Sequence, residues 1–336
     1  FQIDDSVTLT KQIISASELL SLDEQYTGIV NASSVQTITG SEEDVSGVYT
    51  TSGISGLDHA AVTLSGTNTV SQVNNIAVSM FLANPLTPGL LTATISDNDM
   101  DTLSGIRESG NSLTITVTDE SVSADALNTL NSKTTATINV TSSTLTGTNG
   151  EQIAAYAANK AGTITGLENT FDASSYLASH ADLLKAFGSD LVSAKDHFFT
   201  YGIGEERILD SFDESSYLAS YSDLLDAFGT NTSSALSHYI SHGYSEGRSV
   251  DTFDELGYIA SHVDLIKAYG KDFANIATNS VNHYISYGYS EKRTVTFDAG
   301  AYLAAHSDLR DAFGSDEELA KKHYIQYGMA ENRALA

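Results

Sequence analysis

The stretch DNDMDTLSGIRE, which begins at Asp97, holds carboxylates at the spacing of a calcium-binding loop. Asp97, Asp99 and Asp101 alternate, and Glu108 stands at the twelfth position. Oxygen ligands at these positions hold Ca²⁺ in loops of the helix-loop-helix kind. However, Thr102 occupies the place where that loop needs glycine, and the preceding LLTATIS is typical of a strand. A helix cap followed by a helix is therefore the favoured interpretation, and calcium as a cofactor bound by these four carboxylates is the alternative.

A histidine recurs at one position of four similar segments in the second half of the chain. The four residues are His197, His238, His283 and His323. Each lies far from the next along the chain and beside an aromatic residue, which favours a hydrogen-bonded packing role over metal ligation. A companion position holds His180, Tyr221, His262 and His306. Because a tyrosine replaces histidine there, the pattern again indicates packing.

Four of the 16 basic residues are arginines at one position of the same segments. In so acidic a chain we expect them to pair with the aspartates of their own segment and to connect the end of each unit to its neighbour. The predicted ion pairs are Asp182 with Arg207, Asp223 with Arg248, Asp264 with Arg293, and Asp308 with Arg333. A row of ligand-binding arginines is the alternative.

These residues belong to a segment that recurs four times, starting at Phe171, Phe212, Phe253 and Phe297. Its pattern is F-D-x3-Y-[LI]-A-x3-D-L-x2-A-[FY]-G, then a variable insert, then H-[YF]-x3-G-x2-E-x-R. The aspartate after the phenylalanine suits a helix cap, and the apolar residues follow at helical spacing. The pattern predicts two or three short helices per repeat. The predicted repeats are 171–211, 212–252, 253–296 and 297–336, within a domain covering 169–336.

The first half alternates capped helices with strands rich in Thr, Val and Ile. Ser15 with Glu18, Ser41 with Asp44, and Thr148 with Glu151 have the spacing of a capping box. We predict helices starting near 15, 42, 68, 100, 123 and 149, and strands near 27, 60, 76, 91, 112 and 135. A helix and a strand per unit stack most simply as a solenoid. The sequence thus predicts an α+β repeat protein, with an α/β solenoid at 1–168 followed by four all-α repeats.

The composition restricts the partners. The net charge of −27 is shared between both halves, since residues 1–170 hold 4 basic and 18 acidic residues and the rest hold 12 and 25. A negative surface repels phosphate backbones and anionic membranes, so we predict no nucleic acid partner. No apolar run has the length of a membrane helix, and we predict no membrane insertion. The chain has no cysteine. It starts at Phe1 without an initiator methionine, which indicates a processed product or a piece of a longer protein.

Both halves resemble the tandem-repeat segments of giant secreted or cell-surface proteins of marine bacteria and cyanobacteria. The resemblance rests on the four helical repeats and on VSADALNTLNSKTTATINV and GISGL in the first half. Such segments accompany calcium-binding repeats of the RTX type and occur in adhesins and S-layer-like proteins. The resemblance implies secretion, surface attachment and self-assembly. The nonapeptide G-G-x-G-x-D of the RTX type is absent from this sequence.

Together these features predict an extracellular structural protein of the cell surface. It would self-associate with identical chains into a layer or fibre, or mediate adhesion, with assistance from calcium. The alternative is a module that binds a cell-surface polysaccharide, with Tyr201, Tyr244, Tyr287 and Tyr289 as stacking platforms. A hydrolase that uses Asp97 or Asp99 is a third hypothesis. Because no nucleophile elbow, phosphate loop or metalloprotease motif is present, we predict that the chain is not an enzyme.

Overall fold

The first half of the chain alternates short strands with helices. The computed structural model describes residues 5–334. Its strands are β1 (Val7–Thr8), β2 (Ile13–Ser15), β3 (Val30–Asn31), β4 (Thr37–Gly40), β5 (Ile54–Ser55), β6 (Ala61–Asn68), β7 (Leu91–Ile95), β8 (Ser112–Val117), β9 (Ser121–Ser123), β10 (Ile138–Val140), β11 (Thr144–Thr146) and β12 (Ile164–Thr165). The helices of this half are α1 (Ala16–Gln25), α2 (Glu42–Thr50), α3 (Val70–Ala83), α4 (Met100–Leu103), α5 (Ala124–Asn131) and α6 (Asn149–Ala161).

Seven of these strands form one open parallel sheet, in the order β12-β10-β8-β7-β6-β4-β2. The strands of this sheet lie side by side in chain order, and a helix between each strand and the next returns the chain to the start of the sheet. Two smaller parallel sheets, β1-β3-β5 and β11-β9, accompany it. This half is therefore α/β with a parallel sheet, as the alternation of helices and strands predicts.

The core of this half lies between one face of the seven-stranded sheet and the helices. Ile38, Val62 and Leu113 point inward from the strands and are fully buried, as are Leu19 and Ile76 from the helices. Residues that alternate with these along the strands are exposed or half-exposed. One sheet face thus packs on helices, and the other is open to solvent.

Helix starts follow the local capping chemistry of the sequence. The Ser15 hydroxyl accepts a hydrogen bond from the Glu18 N–H at 3.1 Å, and Ser41 accepts one from Asp44. Thr148 and Glu151 form a complete capping box. Each cap satisfies a backbone donor that would otherwise lack a partner. The predicted starts of α1, α2 and α6 are confirmed.

The strand predicted near residue 76 is wrong, because α3 continues to Ala83. The segment is rich in Val and Ile, which favours a strand locally. Its buried residues nevertheless recur at helical spacing, namely Val70, Val73, Ile76, Ala77 and Met80. Tertiary burial of this stripe overrides the local preference.

The coils of this half are unequal, and the architecture is not a clear solenoid. α3 has 14 residues, whereas α4 has only 4. The pairing between β6 and β7 also shifts register between Thr63 and Thr67. These irregularities interrupt the uniform step that the sequence predicts.

The second half is all-helical, apart from turns, and contains four repeats. Its α-helices are α7 (Ala173–Ala178), α8 (Ala181–Phe187), α9 (Leu191–His197), α10 (Glu214–Ala219), α11 (Ser222–Phe228), α12 (Thr232–His238), α13 (Glu255–Ala260), α14 (Val263–Tyr269), α15 (Ile276–His283), α16 (Ala299–Ala305), α17 (Ser307–Phe313) and α18 (Glu317–His323). Each repeat has three short helices, and the third continues into a π-helical turn. The π turns are Phe198–Gly202, Tyr239–Gly243, Tyr284–Gly288 and Tyr324–Gly328.

The chain divides into two compact units whose boundary does not follow the repeats. One unit contains residues 5–171 and 195–207, and the other contains 172–194 and 208–334. Within the first unit, Phe198 stacks on Phe171 with a centroid distance of 4.5 Å and meets Tyr156 edge-on at 5.3 Å. Residues 195–207 at the end of the first repeat thus belong to the same compact unit as the sheet.

A buried tyrosine organises each of the later repeats. The Tyr217, Tyr258 and Tyr302 side chains are fully buried. Their hydroxyls bond to the Nδ1 atoms of His238, His283 and His323 at 3.0, 2.9 and 3.0 Å. A Cβ at Gly243, Gly288 or Gly328 would overlap the same hydroxyls. We call this arrangement the Tyr–His–Gly contact, and it gives the repeat histidine the packing role that the sequence predicts.

Replacing Gly288 by alanine should destabilise the helical unit, because the new Cβ would overlap the Tyr258 hydroxyl. We expect the free energy of unfolding, measured by urea denaturation, to fall by about 1–3 kcal/mol, the usual cost of overpacking. Gly150→Ala is the control, since its Cβ would meet no atom within 4 Å. Alanine is the better helix former, so this control should be at least as stable as the wild type. A Gly288→Ala chain as stable as the wild type would contradict the steric argument.

Candidate functional site

The arginines of the second, third and fourth repeats each bind two carboxylates. Arg248 donates from Nη1 and Nη2 to Asp223 at 3.1 and 2.9 Å, and from Nε to Glu246 at 2.7 Å. Its guanidinium also lies 4.8 Å above the Tyr221 ring, within the range of a cation–π interaction. The guanidinium bonds hold the pKa of Asp223 below its ordinary value. This planar fork suits arginine and could not be reproduced by lysine.

The same fork recurs in the two following repeats. Arg293 bonds to Asp264 at 2.8 Å and to Glu291 at 2.6 Å. Arg333 bonds to Asp308 at 2.7 Å and to Glu331 at 2.6 Å. The predicted pairs of the second, third and fourth repeats are thus present in the structure. They connect the end of a repeat to its own second helix, and not to the neighbouring repeat as the sequence suggested.

In the first repeat, the two residues of the predicted pair belong to different units. Asp182 lies in the helical unit, and Arg207 lies in the unit that contains the sheet. Arg207 donates from Nε to Glu205 at 2.7 Å, as the other arginines do to their glutamates.

The glutamate of each fork was not among the predicted pairs, although E-x-R was part of the repeat pattern. The residue between Glu and Arg shows why this spacing works. Glu206, Gly247, Lys292 and Asn332 all have a positive φ, between 52° and 72°. This left-handed turn brings Nε of the arginine back to the preceding glutamate. Non-glycine residues adopt it rarely, so its recurrence indicates a fixed feature of the repeat.

Two of the four predicted stacking tyrosines join neighbouring repeats. The Tyr244 hydroxyl donates to the Ala181 carbonyl at 2.9 Å. The Tyr289 hydroxyl donates to the Ser222 carbonyl at 3.1 Å and lies 2.7 Å from a carboxylate oxygen of Asp226. This carboxylate raises the pKa of Tyr289 above its ordinary value. Both rings are half-buried, so they serve mainly to connect repeats.

The other two predicted tyrosines are exposed. Tyr201 is 59% exposed and Tyr287 is 60% exposed. Each packs against the histidine of its own repeat, with centroid distances of 5.6 and 5.7 Å. Tyr327, at the same repeat position, is 56% exposed and was missed. Alignment of the four repeats would have identified it, because it precedes the same glycine.

The four carboxylates of the predicted calcium loop have different structural roles. Met100–Leu103 in the middle of the stretch is helical, and Asp99 caps it by accepting from the Thr102 N–H at 2.9 Å. This bond lowers the pKa of Asp99. Asp97 instead accepts from the Val70 N–H, at the start of α3, at 2.7 Å. The predicted helix cap is thus present at Asp99. Asp97 and Asp99, the residues of the hydrolase hypothesis, lie at two different helix starts.

Asp101 and Glu108 of the same stretch are exposed. Asp101 lies in the first turn of α4, where a carboxylate interacts favourably with the helix dipole. Nowhere in residues 5–334 do three or more His, Asp or Glu side chains come together in a way that could hold a metal ion.

Acidic residues also collect between repeats. Burial raises the pKa values of Asp210, Glu214 and Glu255 above their ordinary values. Glu255 lines a cleft of about 270 Å³ together with Asp213 and other residues of the second and third repeats. One repeat later, the counterpart of Asp213 is Asp254, which pairs with Lys321 at 2.9 Å.

No family model, curated protein or solved structure matches this chain. In the part of the chain that the structure describes, no helix has both the length and the hydrophobicity that crossing a bilayer requires.

Stability should decrease as the pH falls below about 6.5, the ordinary pKa of histidine. Burial, followed by the nearby arginine, lowers the pKa of His238 in the folded chain. The same two causes act on His283 and His323. The unfolded chain therefore takes up these protons first, and the free energy of unfolding falls with falling pH. The buried carboxylates with raised pKa values act in the opposite direction at lower pH.

His238→Gln tests this expectation, because glutamine can bond to Tyr217 but does not titrate. Urea denaturation at a series of pH values between 8 and 5 should give a shallower slope for the variant. One titrating group can account for at most about 1.4 kcal/mol per pH unit. Identical slopes for variant and wild type would show that His238 does not couple protonation to folding.

Proposed function

We propose that the chain is a non-catalytic structural protein of the cell surface, which self-assembles or mediates adhesion through its repeated faces. The observation that carries this proposal is that the histidines and arginines of the repeats are bonded to side chains within the protein. The repeat histidines bind buried tyrosines, and the repeat arginines bind aspartates and glutamates of their own repeat. These groups stabilise the fold of each repeat, which is the role expected of such side chains in a structural protein.

The architecture supports the same proposal. Each strand of the large sheet adds beside the previous one, and each helical repeat renews the same internal contacts. Such folds need only their neighbouring unit for stability, so they extend readily and display equivalent surfaces at intervals. We propose that the sheet-containing unit is a segment of an irregular α/β solenoid. The resemblance to giant surface proteins makes an S-layer or an extracellular fibre the proposed setting.

We propose that calcium promotes assembly by reducing the charge repulsion between copies of the chain. Copies that each carry a charge of −27 repel one another, and divalent cations screen that repulsion. Calcium would then act on the acidic surface as a whole, without requiring the Asp97–Glu108 stretch to form a loop.

Light scattering and negative-stain microscopy test the assembly. The purified chain should grow reversibly into sheets or fibres when millimolar calcium is added, and a chelator should return it to smaller species. High concentrations of a monovalent salt serve as the control for general screening. A monodisperse monomer under all of these conditions would overturn self-assembly of this chain.

A second candidate function, binding of a neutral cell-surface polysaccharide, is favoured by the exposed rings. Tyr201, Tyr287 and Tyr327 present more than half of their surface at one repeat position. Flat amphipathic rings of this kind suit stacking on sugar faces, and exposed aromatic residues in solvent commonly mark binding surfaces.

The double variant Tyr287→Ala with Tyr327→Ala tests the second function. If the chain binds an immobilised neutral polysaccharide, the double variant should lose at least tenfold in affinity. Tyr289→Phe is the control, because it removes a hydroxyl contact between repeats but leaves the exposed rings in place. Equal binding by the double variant and the wild type would remove these tyrosines from the site.

A further inference from the structure

The solvent-facing side of the seven-stranded sheet carries rows of small hydroxyl and amide side chains. The pairing register places Ser15, Thr39, Thr63, Thr92 and Ser112 in one row, Thr67, Thr94 and Thr114 in a second, and Thr116, Asn139 and Thr165 in a third. We call these three rows the outer face. All of its residues are exposed or half-exposed.

The outer face contains no charged residue, although the whole chain has a net charge of −27. Two copies of so acidic a chain can approach most closely where neither presents a carboxylate, because like charges that lose their water repel strongly. The face therefore suits an uncharged partner surface, and a second outer face has that property.

The chemistry of the face makes it complementary to itself. A threonine or serine hydroxyl both donates and accepts hydrogen bonds, so identical rows can pair without a separate partner set. The β-branched methyl groups of threonine add apolar contact between the rows. A charged or purely accepting surface would lack this self-complementarity.

The bare face is also unusual for a parallel sheet. Parallel sheets are nearly always covered on both faces, whereas here helices cover only one. Helices bury residues such as Ile38 and Val62 on the inner side. The outer side is thus a sheet surface whose cover is not supplied by the described part of this chain.

We infer that the outer face is a self-association surface, on which the outer face of a second copy packs sheet against sheet. This inference rests on the proposed assembly function and names the surface responsible for it. The contact is isologous, since the same rows meet from both copies.

Single cysteines test the contact directly, because the chain contains no cysteine of its own. Thr39→Cys, Thr94→Cys and Asn139→Cys span the sheet from β4 to β10, so a two-fold axis anywhere on the face lies near one of them. After mild oxidation, at least one should give a disulfide-linked dimer on a non-reducing gel. Ser71→Cys, exposed on α3 in the helix layer, is the control and should not cross-link above background.

A charged substitution provides the second measurement. Thr94→Glu places a carboxylate in the middle row and should reduce assembly of the full chain at least tenfold by light scattering, while circular dichroism stays unchanged. Ser71→Glu should assemble like the wild type.

The outcomes separate the two proposals. In one outcome, the wild type and Thr94→Glu assemble equally well, and the three cysteine variants of the outer face cross-link no better than Ser71→Cys. This outcome overturns the outer face as the contact surface but leaves the proposed assembly intact. A wild type that never assembles and never cross-links overturns both. Loss of polysaccharide binding in Thr94→Glu without any cross-linking would assign the face to a polymer, and would also overturn the inference.

Discussion

A buried phenol hydroxyl must have a hydrogen-bond partner, and this requirement sets the geometry of the helical repeats. Tyr217, Tyr258 and Tyr302 lie at the centre of their repeats with no exposed surface. Burying an unpaired hydroxyl costs free energy, so each tyrosine fixes a histidine beside it. The third helix, which carries the histidine, then continues into a π turn whose glycine admits the ring. Burial raises the pKa of Tyr258 to about 12, which keeps this hydroxyl protonated.

The arginine fork depends on the same arrangement. The turn that follows the glycine enters the left-handed region at residues such as Lys292, and so returns the arginine toward its glutamate and the second helix. Each ion pair is partly exposed and contributes modestly to stability, because solvent and salt screen the attraction. Their main effect is geometric, because a planar guanidinium joins the last turn of a repeat to the second helix of the same repeat. A scaffold assembled from such repeats uses its polar groups internally.

Charge is the second constraint, and it acts on the surface. A net charge of −27 keeps copies apart unless ions screen them or an uncharged surface brings them together. The rows of Thr and Ser on the sheet lie opposite the buried rows because side chains alternate along a strand. The pattern that builds the core therefore also builds the uncharged face. Folding and the proposed assembly follow from a single alternation in the sequence.

Local features could be predicted from the sequence because they depend on neighbours along the chain. The caps at Ser15, Ser41 and Thr148 satisfy donors three residues away, and the four repeats follow from their own similarity. The aspartate partners of the repeat arginines could be predicted, because the chain has 16 basic and 43 acidic residues and each repeat holds one such arginine and one such aspartate. Their connection within one repeat could not be predicted, because it depends on how the second and third helices pack.

Tertiary contacts decided the rest. The α3 segment is helical because its stripe of buried residues requires a helix, despite local strand preference. Asp97 accepts a hydrogen bond from the Val70 N–H, 27 residues away in the sequence, and only the fold brings these two residues together. Asp99 instead caps its own helix through Thr102, three residues away. Tyr201 and Tyr287 are exposed while Tyr244 and Tyr289 connect repeats, although the sequence analysis assigned one stacking role to all four. The sequence by itself determined repetition, charge and caps. Only the packing of one repeat on the next decided which side chains face solvent, because that depends on distances between segments far apart in the chain.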